Sequence, residues 1–363
     1  MRNFWTVALL IGALWMAHLA PCADTPGYAP LAAENARVPR TLLHLVHALE
    51  VQNELGVNDG NRAAVEQGLR PIDAAWWPSR ILAADKQRQL TVDLEKKLAA
   101  HVEQILGDQA TRRLHQIEYQ SQAVRVLARP EVAQRLGLKP DQVERFNNVF
   151  AETDRLAGEI DPRKPDPAKV QALDAAKANE LKSADDILDN EQQQTLQALL
   201  GKKLDTSKLE RIYPLAPELI VTAHRYGEGP AELSKLKGQV VLIHFYAFQC
   251  HNCVANFNHY KRWSETWKNK GVAVIGIQTP ETANERDPQK IAEAAKQAGF
   301  QFPVIMDLEN KNWNAWGNTM WPTVYVVDKN GYIRFWWQGE LNWDGATGDK
   351  KIEELVERLL KEA

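Results

Sequence analysis

Val240-Val241-Leu242-Ile243-His244-Phe245-Tyr246-Ala247-Phe248-Gln249-Cys250-His251-Asn252-Cys253 is the stretch whose reading decides the fold. A run of apolar and β-branched residues stops at two cysteines spaced C-x-x-C. After them the apolar positions fall at Phe257, Tyr260, Trp263 and Trp267, steps of three and four that share one helix face. The spacing predicts strand, sharp turn, helix, with Cys250 at the helix N-terminus and Cys253 one turn inside. Unpaired N–H groups and the helix dipole favour a thiolate at Cys250, and Cys253 is near enough to close a disulfide. The same C-x-x-C as half of a zinc site would need two more ligands. The chain has three cysteines and no second C-x-x-C or H-x-x-H, so no metal is expected.

From about Tyr213 onward the sequence resembles exported thioredoxin-fold proteins of the TlpA/ResA type. Leu215-Ala216-Pro217-Glu218-Leu219 and Leu236-Lys237-Gly238-Gln239-Val240-Val241-Leu242 resemble that family's lead-in, and Met320-Trp321-Pro322-Thr323-Val324-Tyr325-Val326-Val327-Asp328 its cis-proline segment. Gly276-Ile277-Gln278-Thr279-Pro280-Glu281 and the Trp-Pro pair are similar to the thioredoxin-like domain of DipZ-type proteins. The resemblance implies an α/β domain with a central mixed sheet flanked by helices, and a thiol–disulfide oxidoreductase that reduces or isomerises disulfides or supports cytochrome c maturation. It makes Cys250 the attacking thiol and Cys253 the resolving one, and lays Pro322 against the pair. Trp321, Gln249, His251 and Asn252 would meet the substrate. Two departures stand out: Gln249 precedes the motif where the family usually has Trp, and Asn256 replaces an acidic residue three positions after the second cysteine. His244, six residues before Cys250, holds the place of the buried aspartate of thioredoxins and is a candidate proton relay for Cys253. The implied partners are disulfide-containing exported proteins and an upstream thiol or disulfide donor; no cofactor is implied.

The N-terminus has Arg2, an apolar stretch from Phe4 to about Leu19, and Ala20-Pro21-Cys22-Ala23. This describes a secretory signal over residues 1–23, with lipidation of Cys22 or a retained anchor as alternatives. Each alternative exports the body of the protein to the periplasm or cell envelope, a compartment suited to a C-x-x-C pair. A net charge of −3 gives no reason to expect nucleic acid or an anionic membrane surface as partner. Eight of the twelve tryptophans lie from Trp263 on.

Residues 24–205 read as an all-α domain of two helical repeats, and residues 206–363 as the thioredoxin-like domain. Glu50-Val51-Gln52-Asn53-Glu54-Leu55-Gly56-Val57 corresponds to Glu131-Val132-Ala133-Gln134-Arg135-Leu136-Gly137-Leu138, and Ile105-Leu106-Gly107-Asp108-Gln109 to Ile187-Leu188-Asp189-Asn190-Glu191, at one offset of 81–82 residues. Leu136 to Gln142 resembles the capping pattern of Spy/CpxP-type helical proteins. Trp76-Trp77-Pro78 sits between amphipathic helices, either as an exposed contact for a partner or, as composition favours, filling a core. His44, His47, His101 and His115 stand at helix spacings and form no ligand set. A polar linker runs from Gly201 to Leu215. Beyond it the pattern predicts an extended lead-in over Leu219–His224, strands Val240–Tyr246, Val272–Gln278, Phe302–Met306, Thr323–Val327 and Tyr332–Trp337, and helices Cys250–Lys268, Pro288–Ala298 and Lys350–Lys361, with a short helix near Trp313.

Two other classes compete with the oxidoreductase. A peroxiredoxin-like peroxidase shares the Leu-Ala-Pro-Glu lead-in, but Ala247 stands where a peroxidatic site needs Thr or Ser. A metal-binding or scaffold protein on the same fold is the other; copper carriers of this fold use C-x-x-x-C, one residue longer than the spacing here.

Overall fold

A computed structural model describes residues 38–161, 164–205, 209 and 213–362. The expected signal over residues 1–23, with Cys22, and residues 206–208 and 210–212 of the expected linker lie outside the described residues. Two compact units divide the chain, Met1–Gly68 with Ala83–Ile212, and Leu69–Leu82 with Tyr213–Ala363.

The first unit is built from α1 (Leu42–Leu45), α2 (Leu49–Glu54), the start of α3 (Arg62–Trp76), α4 (Ala84–Leu106), α5 (Asp108–Ser121), α6 (Pro130–Arg135), α7 (Pro140–Gly158), α8 (Pro167–Ile187) and α9 (Asn190–Leu200). Short α2 and α6 each stop at a Leu-Gly pair whose glycine, Gly56 or Gly137, has φ of 80° or 59°, a left-handed conformation that a Cβ disfavours. α7 restarts at Pro140, and Gln142 reaches back to accept from the Lys139 N–H at 3.0 Å. Gln192 does the same for α9 at Asp189, and the two amides then bond each other at 2.8 and 3.0 Å. Phe146, Phe150, Ile187, Leu196 and Leu200 fill the core around them. Inside it the Arg125 guanidinium is paired with Glu180 at 2.6 and 2.8 Å and with Asp154 at 2.7 Å. The partners hold its pKa above the usual guanidinium value against the cost of burial.

The second unit holds β1 (Arg225–Tyr226), β2 (Val240–Tyr246), α10 (His251–Thr266), β3 (Val272–Gln278), α11 (Pro288–Ala298), β4 (Val304–Met306), α12 (Lys311–Ala315), β5 (Thr323–Val327), β6 (Ile333–Gln338) and α13 (Gly348–Lys361). They form one six-stranded mixed sheet in the order β1-β4-β3-β2-β5-β6, with β2, β3 and β4 parallel and β1, β5 and β6 antiparallel to their neighbours. Every residue of β2 is buried, as its unbroken apolar run requires of a central strand. Leu242 and Tyr246 face α10, α11 and α13, through Tyr260, Trp263, Ala295, Ile352 and Val356. Val241, Ile243 and Phe245 face Ala216, Leu219, Leu236 and Trp316. This is the expected thioredoxin-like architecture. The lead-in differs in detail: Leu215 bridges to Tyr332, and the paired edge strand is Arg225–Tyr226 instead of Leu219–His224.

The structure also departs from a contiguous division of the chain. Residues Leu69–Leu82 belong to the second unit. Trp77 is buried among Val241, Tyr325 and Ile333, edge-on to Trp336 at 5.0 Å, and buried Asp73 accepts from the Leu215 N–H at 2.9 Å. Trp77 therefore fills a core, that of the sheet. Periodicity could not show this, because an apolar helix face carries no label for the surface it meets.

Candidate active site

The site is made where β2 ends and α10 begins. Cys250 caps α10 and is half-buried, while Cys253 is fully buried one turn on; both are free thiols. The Cys253 and Val254 N–H groups donate to the Cys250 carbonyl, both at 3.1 Å, closing the first turn. A hydrogen bond from the Cys253 thiol, helped by its backbone N–H, holds Cys250 below the ordinary thiol pKa, against burial and the carboxylates of Glu281 and Glu285. Cys253 is pushed far up, first by burial and then by its hydrogen bond to Cys250. The two thiols are therefore electrostatically opposite, the more acidic one at the opening and the less acidic one behind it, donating to it.

Gln249, His251 and Asn252 are exposed around Cys250. The Gln249 side chain accepts from the Thr282 hydroxyl at 3.0 Å, and its backbone N–H donates to Glu285 at 2.7 Å. Buried Glu285 takes the N–H groups of Glu281 and Thr282 on its other oxygen, each at 2.9 Å, and so ties the residue before the first cysteine to the loop after β3. Sequence reasoning missed Glu285, although Thr282-x-x-Glu285 is the spacing of a capping box.

The Trp321–Pro322 bond is cis, as the resemblance implies. The Trp321 indole donates to the Thr279 carbonyl at 3.1 Å and stacks on Trp313 at 4.0 Å. Trp321 and Cys250 pack against the same core. Trp313 is placed by Asp307, whose buried carboxylate accepts from the Asn312 and Trp313 N–H groups at 2.9 Å each. Asn256, visible in sequence only as a departure, is a buried fastener. Its amide donates to the Gly339 carbonyl at 3.1 Å and accepts from the Leu341 N–H at 3.0 Å.

His244 is fully buried, and desolvation pulls its pKa down to about 3. The ring lies against Tyr260 at 3.9 Å and Tyr246 at 4.9 Å, with Phe300 and Phe302 edge-on. Gly276 on β3 makes room for it, since a Cβ there would come within 3.2 Å of the ring nitrogen. Tyr246 and Tyr260 are the hydroxyls whose ionisation Cys253 opposes, on top of their burial. The structure thus brings Cys250, Cys253, Gln249, His251, Asn252, Trp321 and Pro322 to one end of the sheet. It sets His244 in an aromatic layer with the two tyrosines. Among the described residues no group of His, Cys, Asp and Glu could hold a metal.

The model described as the AhpC/TSA family matches residues 215–336. The protein DipZ of Mycobacterium bovis is 37% identical over 138 residues, which is 38% of this chain and 19% of DipZ. The thiol-disulfide oxidoreductase YkuV of Bacillus subtilis is 28% identical over 121 residues, 33% of this chain and 77% of YkuV. A thiol-disulfide isomerase structure from Corynebacterium glutamicum is 20% identical, with a TM-score of 0.36, covering 42% of this chain and 98% of that one. The chain thus spans about a fifth of DipZ, and the family match lies in its C-terminal part. That part carries an AhpC/TSA thioredoxin-fold domain, similar to those of thiol–disulfide oxidoreductases.

Proposed function

We propose that this protein is a thiol–disulfide oxidoreductase acting on exported, disulfide-containing proteins. One observation carries the reading: a half-buried cysteine of lowered pKa at an open helix end, backed by a buried cysteine of raised pKa. The Cys250 thiolate attacks one sulfur of the client disulfide. A Cys250–client mixed disulfide forms, and the other client sulfur leaves as a thiolate that takes up a proton. Cys253 then gives up its proton and attacks Cys250 Sγ. The Cys250–Cys253 disulfide forms and the second client thiolate departs, so two electrons have passed to the client. An upstream dithiol returns the pair to the reduced state. Trp321, Pro322, Gln249, His251 and Asn252 present the surface on which the client strand lies.

In this reading His244 is a neutral ring that holds Tyr246 and Tyr260 behind Cys253. A base with a pKa near 3 is poorly matched to a thiol proton, which argues against the direct relay. Ala247, fully buried three residues before Cys250, supplies no hydroxyl for peroxide chemistry. The helical unit is read as a two-copy repeat, in which Val65 stands where Phe146 does, both buried. The test is trapping. Cys253→Ser should accumulate mixed disulfides with client proteins in cell-envelope extracts, and Cys250→Ser should accumulate none. Equal trapping by both variants defeats the assignment.

A further inference from the structure

The segment Trp77–Arg80 lies far from the thiols in sequence, yet it is built into the sheet-containing unit. The Arg80 guanidinium donates to the carbonyls of Trp316 and Gly317, each at 2.9 Å, to the Tyr325 hydroxyl at 3.0 Å, and to the Trp77 carbonyl at 2.8 Å. It lies 4.0 Å over the Trp77 ring. The Tyr325 hydroxyl in turn donates to the Asn318 side-chain oxygen at 2.6 Å. The Trp316 and Gly317 carbonyls directly follow α12, where the helix ends and its last carbonyls need outside donors. A planar guanidinium offers five N–H donors in a fixed fork, against the three of an ammonium.

Gly317 shows how closely the segment is fitted. Its φ is 58°, and a Cβ there would meet Pro78 Cα at 2.8 Å and Arg80 Nη1 at 2.9 Å. Position 317 therefore has to be glycine on two counts, the left-handed backbone and the approach of residues 78–80. Trp313, on α12, stacks on Trp321, and Trp316 to Pro322 is the stretch that joins α12 to β5. A group that pins the C-terminal end of α12 and Tyr325 of β5 pins both ends of that stretch.

We infer that Arg80 is a positioning residue for the proposed reaction: together with Trp77 and Gly317 it fixes the Trp313–Trp321 stack and the Trp316–Pro322 segment, and so the surface that receives a client peptide. The inference rests on the oxidoreductase reading and adds a client-recognition element contributed by residues 77–80, outside the residues 215–336 that the family model matches.

The test uses the full chain with Arg80→Met, Arg80→Lys and Gly317→Ala. Three readouts are compared: exchange with a small aromatic disulfide, which needs only Cys250; reduction of a disulfide-linked peptide, which also needs the receiving surface; and amide hydrogen exchange. Arg80→Met and Gly317→Ala should raise the peptide KM about tenfold, with the small-disulfide rate within about twofold of wild type. Amide exchange over residues 316–322 should speed up about tenfold while α10 keeps its protection. Arg80→Lys should fall between wild type and Arg80→Met, and it carries the test with Gly317→Ala if Arg80→Met does not fold. Equal loss of both activities, or a peptide KM and an exchange pattern like wild type, overturns the inference. If the wild type reduces neither substrate, the oxidoreductase reading fails instead. The exchange pattern over 316–322 then decides by itself whether Arg80 orders that segment.

Discussion

The two cysteines differ by three positions in sequence and by nearly everything else in environment. Cys250 is held below the ordinary thiol pKa, first by the Cys253 thiol, so its alkylation rate should rise with pH to a midpoint below the free-cysteine value of about 8.5. Cys253→Ala removes the donor and should move that midpoint up, and Glu281→Gln removes an opposing charge and should move it down. Following iodoacetamide labelling by mass spectrometry against pH checks both, with Cys253 unlabelled in the native protein. His244 offers a second pH signature. Its folded pKa near 3 lies below the unfolded value of 6.5, so the unfolded chain binds more protons between those two values. The native state is therefore unpenalised above pH 6.5 and loses stability as pH falls toward 3, by about 1.4 kcal/mol per pH unit within that window. His244→Asn should flatten the acid limb of denaturant-measured stability while leaving the pH profile of mixed-disulfide resolution between 5 and 7 unchanged. A flattened resolution profile would restore the direct relay.

At the scale of elements, α10 is set by two kinds of contact. Tyr260 and Trp263 press its apolar stripe onto the sheet, a reading that steps of three and four make available in advance. Asn256 joins it to the turn after β6 by bonds to Gly339 and Leu341, which only the folded chain brings near. Asn256→Ala leaves the half-buried Gly339 carbonyl and the buried Leu341 N–H without that partner, at about 1–3 kcal/mol for a fully buried group. The variant should lose roughly 2–4 kcal/mol in urea unfolding. Asn256→Asp keeps the acceptor but turns the donor into a second acceptor facing the Gly339 carbonyl, so it should be destabilised as well. A variant as stable as wild type would show that the turn finds other partners.

For the molecule as a whole, cutting at Thr206 removes Trp77 and Arg80 from the unit that buries them. The fragment from Thr206 onward should therefore be less stable than the same unit in the full chain. Trp77→Ala in the full chain should cost about 3–5 kcal/mol, the range for truncating a buried tryptophan. A Thr206–Ala363 fragment with the melting temperature and disulfide-exchange rate of the intact protein would contradict this. The sheet itself was legible in advance. β2, β3, α11 and β5 have the bounds that apolar runs, glycine stops and turn residues predict, because those signals are local and the period of the pattern is the period of the element. The place of the thiol pair was legible for the same reason, since a C-x-x-C at a strand-to-helix junction needs no distant partner to be read. Glu285 was half-legible, as a capping box without a hint that its second oxygen serves Gln249. What the sequence determined, then, is the central strands and flanking helices of the sheet and the place of the thiol pair between β2 and α10, all carried by neighbours within a few turns. Only the tertiary structure decided that residues 69–82 join the sheet, that Arg80 bonds the end of α12, and that His244 lies stacked with two tyrosines. These depend on which buried surfaces meet, and apolar faces of like period are interchangeable until their shapes and unpaired carbonyls select the partner.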